Sequence, residues 1–229
     1  HIKRGFRMEV QSEIPIGAGL STSAAVSIGF IRAIDQAYNL GMSKYEIAEL
    51  AYLGENHDLG IQCGRLDQYT EAFGGVVFIH TDENPKVETL DIQDLPIVVG
   101  DSMEERKASV ILNRVKIQLL EEDSKTLEAF RIMEECVYGA RKALLKKDYQ
   151  MLGFLMNKQQ EAEKLIDAHS EKIMNMCQSS LDAGALGAKQ MGAGGGGCML
   201  ALCPGKQEAV VKAIEDVGGR AWIFDIYNY

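Results

Sequence analysis

What the sequence lacks narrows its chemistry first. No apolar run is long enough to cross a bilayer, and the amino end, HIKRGFRMEVQS, has no apolar signal-peptide core, so a cytoplasmic protein with no membrane partner is expected. Basic residues are outnumbered by acidic ones, 24 against 33, and the net charge of −9 argues against a general affinity for nucleic acid. An anionic ligand would have to be held locally, by backbone N–H groups, helix ends or a metal. The five cysteines, at 63, 136, 177, 198 and 203, form no CxxC pair and lie mostly in apolar or helical segments, so they read as reduced core thiols. There is no HExxH among the four histidines and no GxSxG, which removes zinc-protease and serine-hydrolase chemistry. Neither an internal repeat nor a low-complexity linker interrupts the chain.

What is present in excess is glycine in two places. The segment MGAGGGGCMLALCP, 191–204, puts five glycines into six positions before an apolar run. Such a run is a poor choice for stability alone, because glycine loses the most backbone entropy on folding and packs no side chain. The second, PIGAGLSTSAA, 15–25, has Pro15 ending a strand, Gly17 and Gly19 allowing a tight turn, and Ser21, Thr22 and Ser23 in the first turn of a helix. Unpaired amides and the positive end of the helix dipole both favour phosphate there. The segment lacks the lysine and spacing of a Walker A loop and does not fit GxGxxG in a dinucleotide setting. The plainer alternative is a glycine turn capped by Ser21.

Between and around these segments the periodicity is legible. FRMEV alternates like a half-buried strand, and a domain that starts on such a strand lacks its earlier pairing partners, so an amino-terminal segment is expected to be missing. Residues 21–39 form a buried helix. Ser43 with Glu46 forms a capping box opening a helix that ends near Glu55 to His57. A short helix follows between Gly64 and Gly74, then VVFIH and VETLDI as strands joined by DENP. LPIVVGDS begins a new unit near Leu95, and the region 104–185 is helical with a break at KKDYQ. CMLALCP, KQEAVVKAIEDVG and RAWIFDIYN complete a strand, helix, strand order. The result is an α+β architecture with helices covering a sheet.

Two acids stand near glycines: Glu55, at the close of a helix, and Asp67, in CGRLDQ. Phosphoryl transfer needs magnesium on oxygen ligands and often a carboxylate that orients or deprotonates the attacking hydroxyl. Taken alone, both acids read first as solvated surface groups rather than functional ones, and Asp58 competes with Glu55.

IPIGAGLSTSAA resembles the second motif of the GHMP small-molecule kinases, the group that contains galactokinase, homoserine kinase, mevalonate kinase and phosphomevalonate kinase. GALGAKQMGAGGGGCMLAL resembles their third motif, and LGENHDLGIQCGRLDQYTEAFGG is similar to the galactokinase segment carrying the catalytic aspartate. LGFLMNKQQ and the end of the third motif look equally like archaeal mevalonate kinases and heptose 7-phosphate kinases. The resemblance covers essentially the whole chain. It implies the GHMP kinase fold, two subdomains with the active site in the cleft between them, the amino-terminal strands missing. Residues 1–95 would be a partial nucleotide-binding domain and 96–229 the carboxyl-terminal domain.

By resemblance, Gly17, Gly19, Leu20, Ser21, Thr22 and Ser23 bind the phosphates of ATP, Thr22 with Glu55 holds Mg2+, and Asp67 acts on the substrate hydroxyl. Gly192, Gly194, Gly195 and Gly196 complete the nucleotide site, where side chains would collide with the reacting groups or the first motif. Two departures are visible: Thr22 stands for the family's usual serine, and Met191 for a residue commonly Thr or Ser. The family's first motif is absent. A small-molecule partner is implied, and a homodimer is among the assemblies allowed. The implied reaction is ATP-dependent phosphorylation of a sugar or sugar phosphate, Asp67, Gln68 and Arg106 offering hydrogen bonds. The alternatives are mevalonate, with Arg106 or Lys107 as counter-charge, and an inactive binding protein of the same fold.

Overall fold

A computed structural model of the chain describes residues 5–14, 17–61, 63–104 and 108–226. These group into two compact units, 5–14 with 20–91 in the first, 17–19 with 92–226 in the second. Pro15, Arg106 and Lys107 lie outside the described residues.

In the first unit, α1 (Thr22–Tyr38), α2 (Lys44–Leu53) and α3 (Leu66–Phe73) enclose a core of Ile28, Ile47, Ala48, Ala51, Tyr69 and Ala72. The Ser43 hydroxyl accepts from the Glu46 N–H while the Glu46 carboxylate accepts from the Ser43 N–H, which is the capping box that the spacing implies. After α2 the backbone widens into a π-helical turn, Gly54–Asp58. Such turns insert an extra residue into a helix and redirect the side chains on it. β1 (Val76–His80) and β2 (Lys86–Leu90) then pair antiparallel, joined across the segment containing DENP.

FRMEV, expected as a strand, pairs with nothing among the described residues and is assigned no regular structure. Its alternation satisfies the side-chain period of a strand. A strand also needs a neighbour to take its N–H and C=O groups, and none of the described ladders includes it.

The second unit is built on β3 (Ile97–Asp101), β4 (Gly187–Gln190), β5 (Cys198–Leu202) and β6 (Arg220–Phe224), in the order β4-β5-β3-β6, every pair antiparallel. Its helices are α4 (Ala108–Leu120), α5 (Ser124–Leu145), α6 (Tyr149–Leu165), α7 (Glu171–Asp182) and α8 (Gln207–Asp216). The two-residue period of a strand sends alternate side chains to opposite faces. Val98, Ala188, Met199 and Ala201 therefore pack with Ile173, Met176, Val210 and Ile214 of α7 and α8. Ile97, Leu200 and Leu202 go to the other face and pack with Ala143, Leu152 and Met156 of α5 and α6. Helices cover both faces of the sheet, and each fully buried Leu, Ile or Met contributes about 1.5–3 kcal/mol.

α6 lies against β4 backbone to backbone. A Cβ at Gly153 would stand 2.5 Å from the Leu186 carbonyl oxygen, and one at Gly187 would overlap the Gly153 carbonyl oxygen. This close approach holds the start of β4 against α6. β4 itself was not legible in the sequence, since Gly187, Ala188, Lys189 and Gln190 have neither branching at Cβ nor an aromatic ring. No disulfide joins any of the five cysteines, and Cys136, Cys177, Cys198 and Cys203 are buried.

Candidate active site

Gly17 and Gly19 have φ of +78° and +83°, and Ser21 has φ of +54°, so every second residue from 17 to 21 is left-handed. Alternation of hand along a backbone turns successive N–H groups toward one concavity, an anion-binding nest. The nest runs directly into the N-terminus of α1, whose N-cap is Ser21. Ser43, Asp123, Asp148 and Ser170 each accept an N–H from their own helix, but Ser21 makes no such side-chain bond. The plainer reading of a turn capped by Ser21 is thereby corrected: its left-handed backbone does not have the extended geometry of a capping serine. The Ser21 side chain thus caps none of the first amides of α1.

At the second residue of α1, the Ser23 hydroxyl donates to Oε2 of Glu55 at 2.8 Å. Glu55 sits in the π-helical turn and is 4% exposed, and its Oε1 is buried with no hydrogen-bond partner among the described residues. A buried carboxylate oxygen without a partner is costly unless something else meets it. The donor set, one carboxylate with neighbouring hydroxyls, suits Mg2+, which binds through one or two protein oxygens and completes its shell with water and phosphate. Sequence reasoning paired Glu55 with Thr22; the hydroxyl observed on it is that of Ser23. No local pattern in the sequence pairs Ser23 with Glu55, since the contact joins residues 32 positions apart.

Asp67 is exposed in the first turn of α3. Its neighbour Gln68 is 1% exposed, its amide donating to Cys63 Sγ at 3.8 Å. Gln68, expected to offer a hydrogen bond to the acceptor, is therefore in the interior beneath Asp67. Burial, helped by the negative charges of Glu55 and then Asp67, pushes the Cys63 thiol up, so this cysteine is no nucleophile. Asn56, on the same π-helical turn as Glu55, donates to the carbonyls of Ile61 and Cys63, at 3.4 and 3.0 Å, and ties that turn to the segment leading to Asp67. Arg65 pairs with Glu49 at 2.9 Å and fixes the entry to α3. Among the described residues no three His, Cys, Asp or Glu side chains form a metal cluster.

In the second unit, Met191 to Gly197 link β4 to β5. Gly192, Gly194, Gly195, Gly196 and Gly197 all have positive φ, which only glycine adopts at little cost. The loop is pinned at both ends: the Met191 N–H donates to the Cys198 carbonyl, and the Ser102 N–H to that of Gly197, each at 2.9 Å. A Cβ at Gly194 would overlap the Ala168 carbonyl oxygen and crowd the Gln190 amide. That amide donates to the same Ala168 oxygen at 2.5 Å, and the Gln190 N–H donates to Gln160 Oε1 at 2.6 Å.

The glycine turn before α1 and the buried Glu55 carboxylate with a hydroxyl on it are groups that phosphoryl transfer can use, and the second unit separately carries a glycine loop on a sheet. Comparison with known proteins agrees. Residues 1–75 match the GHMP kinases N terminal domain and residues 140–219 the GHMP kinases C terminal model. A mevalonate kinase of Pyrococcus furiosus is 34% identical over 97% of this chain, which spans 67% of that relative. A D-glycero-alpha-D-manno-heptose 7-phosphate kinase of Campylobacter jejuni is 29% identical, with 93% of this chain and 66% of the relative covered. The crystal structure of L. major mevalonate kinase with R-mevalonate superposes with a TM-score of 0.78 at 25% identity, covering 91% of this chain and 66% of that one. The chain belongs to the GHMP kinase family, whose members here are ATP-dependent small-molecule kinases. No helix among the described residues is long and apolar enough to cross a membrane.

Proposed function

We propose that this protein transfers the γ-phosphoryl group of ATP to a hydroxyl of a sugar or sugar phosphate. Gly17, Gly19, Leu20, Ser21, Thr22 and Ser23 bind the nucleotide phosphates, and Gly192, Gly194, Gly195 and Gly196 complete their site. Residues 1–95 form the nucleotide-binding part and 96–229 the carboxyl-terminal part. Glu55 holds Mg2+ with the hydroxyls of Ser23 and Thr22; the ion, when bound, neutralises charge on the phosphates. Asp67 accepts the proton of the attacking hydroxyl or orients it, a role that suits its exposed place on α3. The observation that carries this reading is the buried Glu55 carboxylate, one oxygen on Ser23 and the other without a partner, beside an uncapped nest.

The sugar acceptor is supported by the segment from Cys63 to Gln68 around the reacting acid. A second reading, mevalonate, is favoured by the 34% identity to an archaeal mevalonate kinase. Turnover of ATP by the full-length protein against galactose, heptose 7-phosphate, mevalonate and homoserine, with the phosphorylated product identified, decides between them. Asp67→Asn is expected to lower turnover by about 10²–10⁴-fold while ATP binding survives. Unchanged turnover in that variant would remove Asp67 from the mechanism.

A further inference from the structure

Within the first unit, α3 carries Asp67 in its first turn and has little of its own to hold that turn in place. It is eight residues long, shorter than a helix that stands alone in water, and its N-cap Arg65 makes no side-chain bond to the first turn. An uncapped start is where a helix frays.

What holds the turn instead is one carboxylate on α2. Glu49 Oε2 accepts Arg65 Nε at 3.0 Å, its Oε1 accepts Arg65 Nη2 at 2.9 Å, and the Tyr69 hydroxyl donates to Oε2 at 2.8 Å. Such a two-bond fork fixes direction as well as distance. The Arg65 guanidinium also lies over the ring of Tyr52, 4.2 Å from its centroid, one turn along α2 from Glu49. This is no loose surface pair, since the side chains of Arg65 and Glu49 are 21% and 33% exposed and Tyr69 is buried. The hydrogen bonds from Arg65 hold the Glu49 carboxyl below its usual 4.5 against the opposing effect of burial, so the fork stays ionised at neutral pH.

Helical geometry then turns Asp67 outward. Arg65, whose backbone is already right-handed, and Tyr69 are four positions apart and share the face that meets α2. Residue 67 lies midway between them in the chain, rotated about 200° from each, and so looks the other way. Asp67 is exposed, whereas Tyr69 and Ala72 are buried. Anchoring the back of the turn on either side of Asp67 restrains its roll, while the carboxylate itself stays on the open face.

We propose, on the kinase reading above in which Asp67 acts on the acceptor hydroxyl, that Glu49 is the positioning residue for Asp67. By clamping Arg65 and Tyr69 on the back of α3 it sets the direction in which Asp67 meets that hydroxyl. Displacing a reacting group by about 1 Å can cost on the order of 10²-fold in rate. An effect exerted through Asp67 falls on the step in which Asp67 takes part, and so on kcat rather than on the KM for ATP.

A double-mutant cycle in the full-length protein tests this, run with whichever of galactose, heptose 7-phosphate, mevalonate and homoserine is turned over fastest. Glu49→Gln keeps the shape and loses the charged fork; it is expected to lower kcat about tenfold with the KM for ATP unchanged. In an Asp67→Asn background the same substitution is expected to cost nothing further, because the group it positions is already gone. Arg65→Lys keeps the charge without the planar fork and should repeat both results, which gives a second reading should Glu49→Gln fold poorly. A salt bridge that serves only the fold would lower Tm and spare kcat, or lower kcat by one factor in both backgrounds, and either result overturns the proposal. Asp67→Asn as active as wild type removes the acid from the kinase reading and the clamp with it. A strongly impaired Asp67→Asn beside a Glu49→Gln protein of full kcat removes the clamp alone.

Discussion

At Gly17 an added Cβ would meet nothing within 4 Å, whereas at Gly194 it would overlap the Ala168 carbonyl oxygen, although both residues have φ of +78°. The first segment needs glycine for the hand of its backbone, and the space beside it is open among the described residues. The second needs it for that reason and for a closer one, the approach of a neighbouring turn. The sequence suggested that side chains at 192–197 would strike reacting groups or the first motif; at Gly194 the nearer obstacle is the loop's own unit. Composition alone makes the two segments look alike. Their mutational behaviour should separate them.

The largest effect is expected at Gly194. Gly194→Ala forces Cβ against a backbone oxygen that cannot swing aside, and destabilises by about 3 kcal/mol or more, so that Tm falls by roughly 10 °C. Differential scanning calorimetry measures it. A normal Tm would mean that the 166–170 turn moves easily and that the contrast with Gly17 is not one of packing. Next in size is the pair Ser23→Ala and Thr22→Ala. Loss of the hydroxyl on Glu55 is expected to cost Ser23→Ala about 10–100-fold in turnover, with a higher magnesium requirement, and Thr22→Ala less. The reverse order would restore Thr22 as the principal hydroxyl. Gly17→Ala comes third. Holding alanine in the left-handed region costs about 1–2 kcal/mol with no clash to add among the described residues, so Tm falls by roughly 3–6 °C while the KM for ATP rises several-fold as the nest is disturbed.

How much of this was legible follows the same division between local and non-local causes. The capping box at Ser43, the helix between Gly64 and Gly74 and the strand at 198–202 are written in neighbouring residues, and the structure has them. β4 was missed because its strand character comes from β5 beside it and from α6 behind it, where Gly153 and Gly187 allow close approach. FRMEV erred the other way, having the local pattern without a described partner. In the site, the glycines and the acids Glu55 and Asp67 were legible as types. That Ser23 meets Glu55 depends on contact across 32 positions, and the burial of Gln68 beneath Asp67 depends on how α3 packs. A sequence read one residue at a time carries neither.

The smallest expected effect concerns what supports the second glycine loop. Glu163 is buried on α6, with Lys189 of β4 at 3.6 Å and its Oε2 without a hydrogen-bond partner among the described residues. Burial pushes its carboxyl above the usual 4.5, Lys189 and the amides of Gln159 and Gln190 only partly opposing it. The folded protein therefore holds this proton more tightly than the unfolded chain. Stability from this group is fully present below the unfolded value of 4.5 and is lost as pH rises through the higher folded value. Glu163→Gln removes the charge while keeping the shape. It should match the wild type at pH 4 and exceed its Tm by a degree or two at pH 7, an effect of about 1 kcal/mol or less. A Glu163→Gln protein less stable than wild type at pH 7 would show that the Lys189 ion pair outweighs the cost of burying the charge, and that the second loop rests on a salt bridge rather than tolerating one.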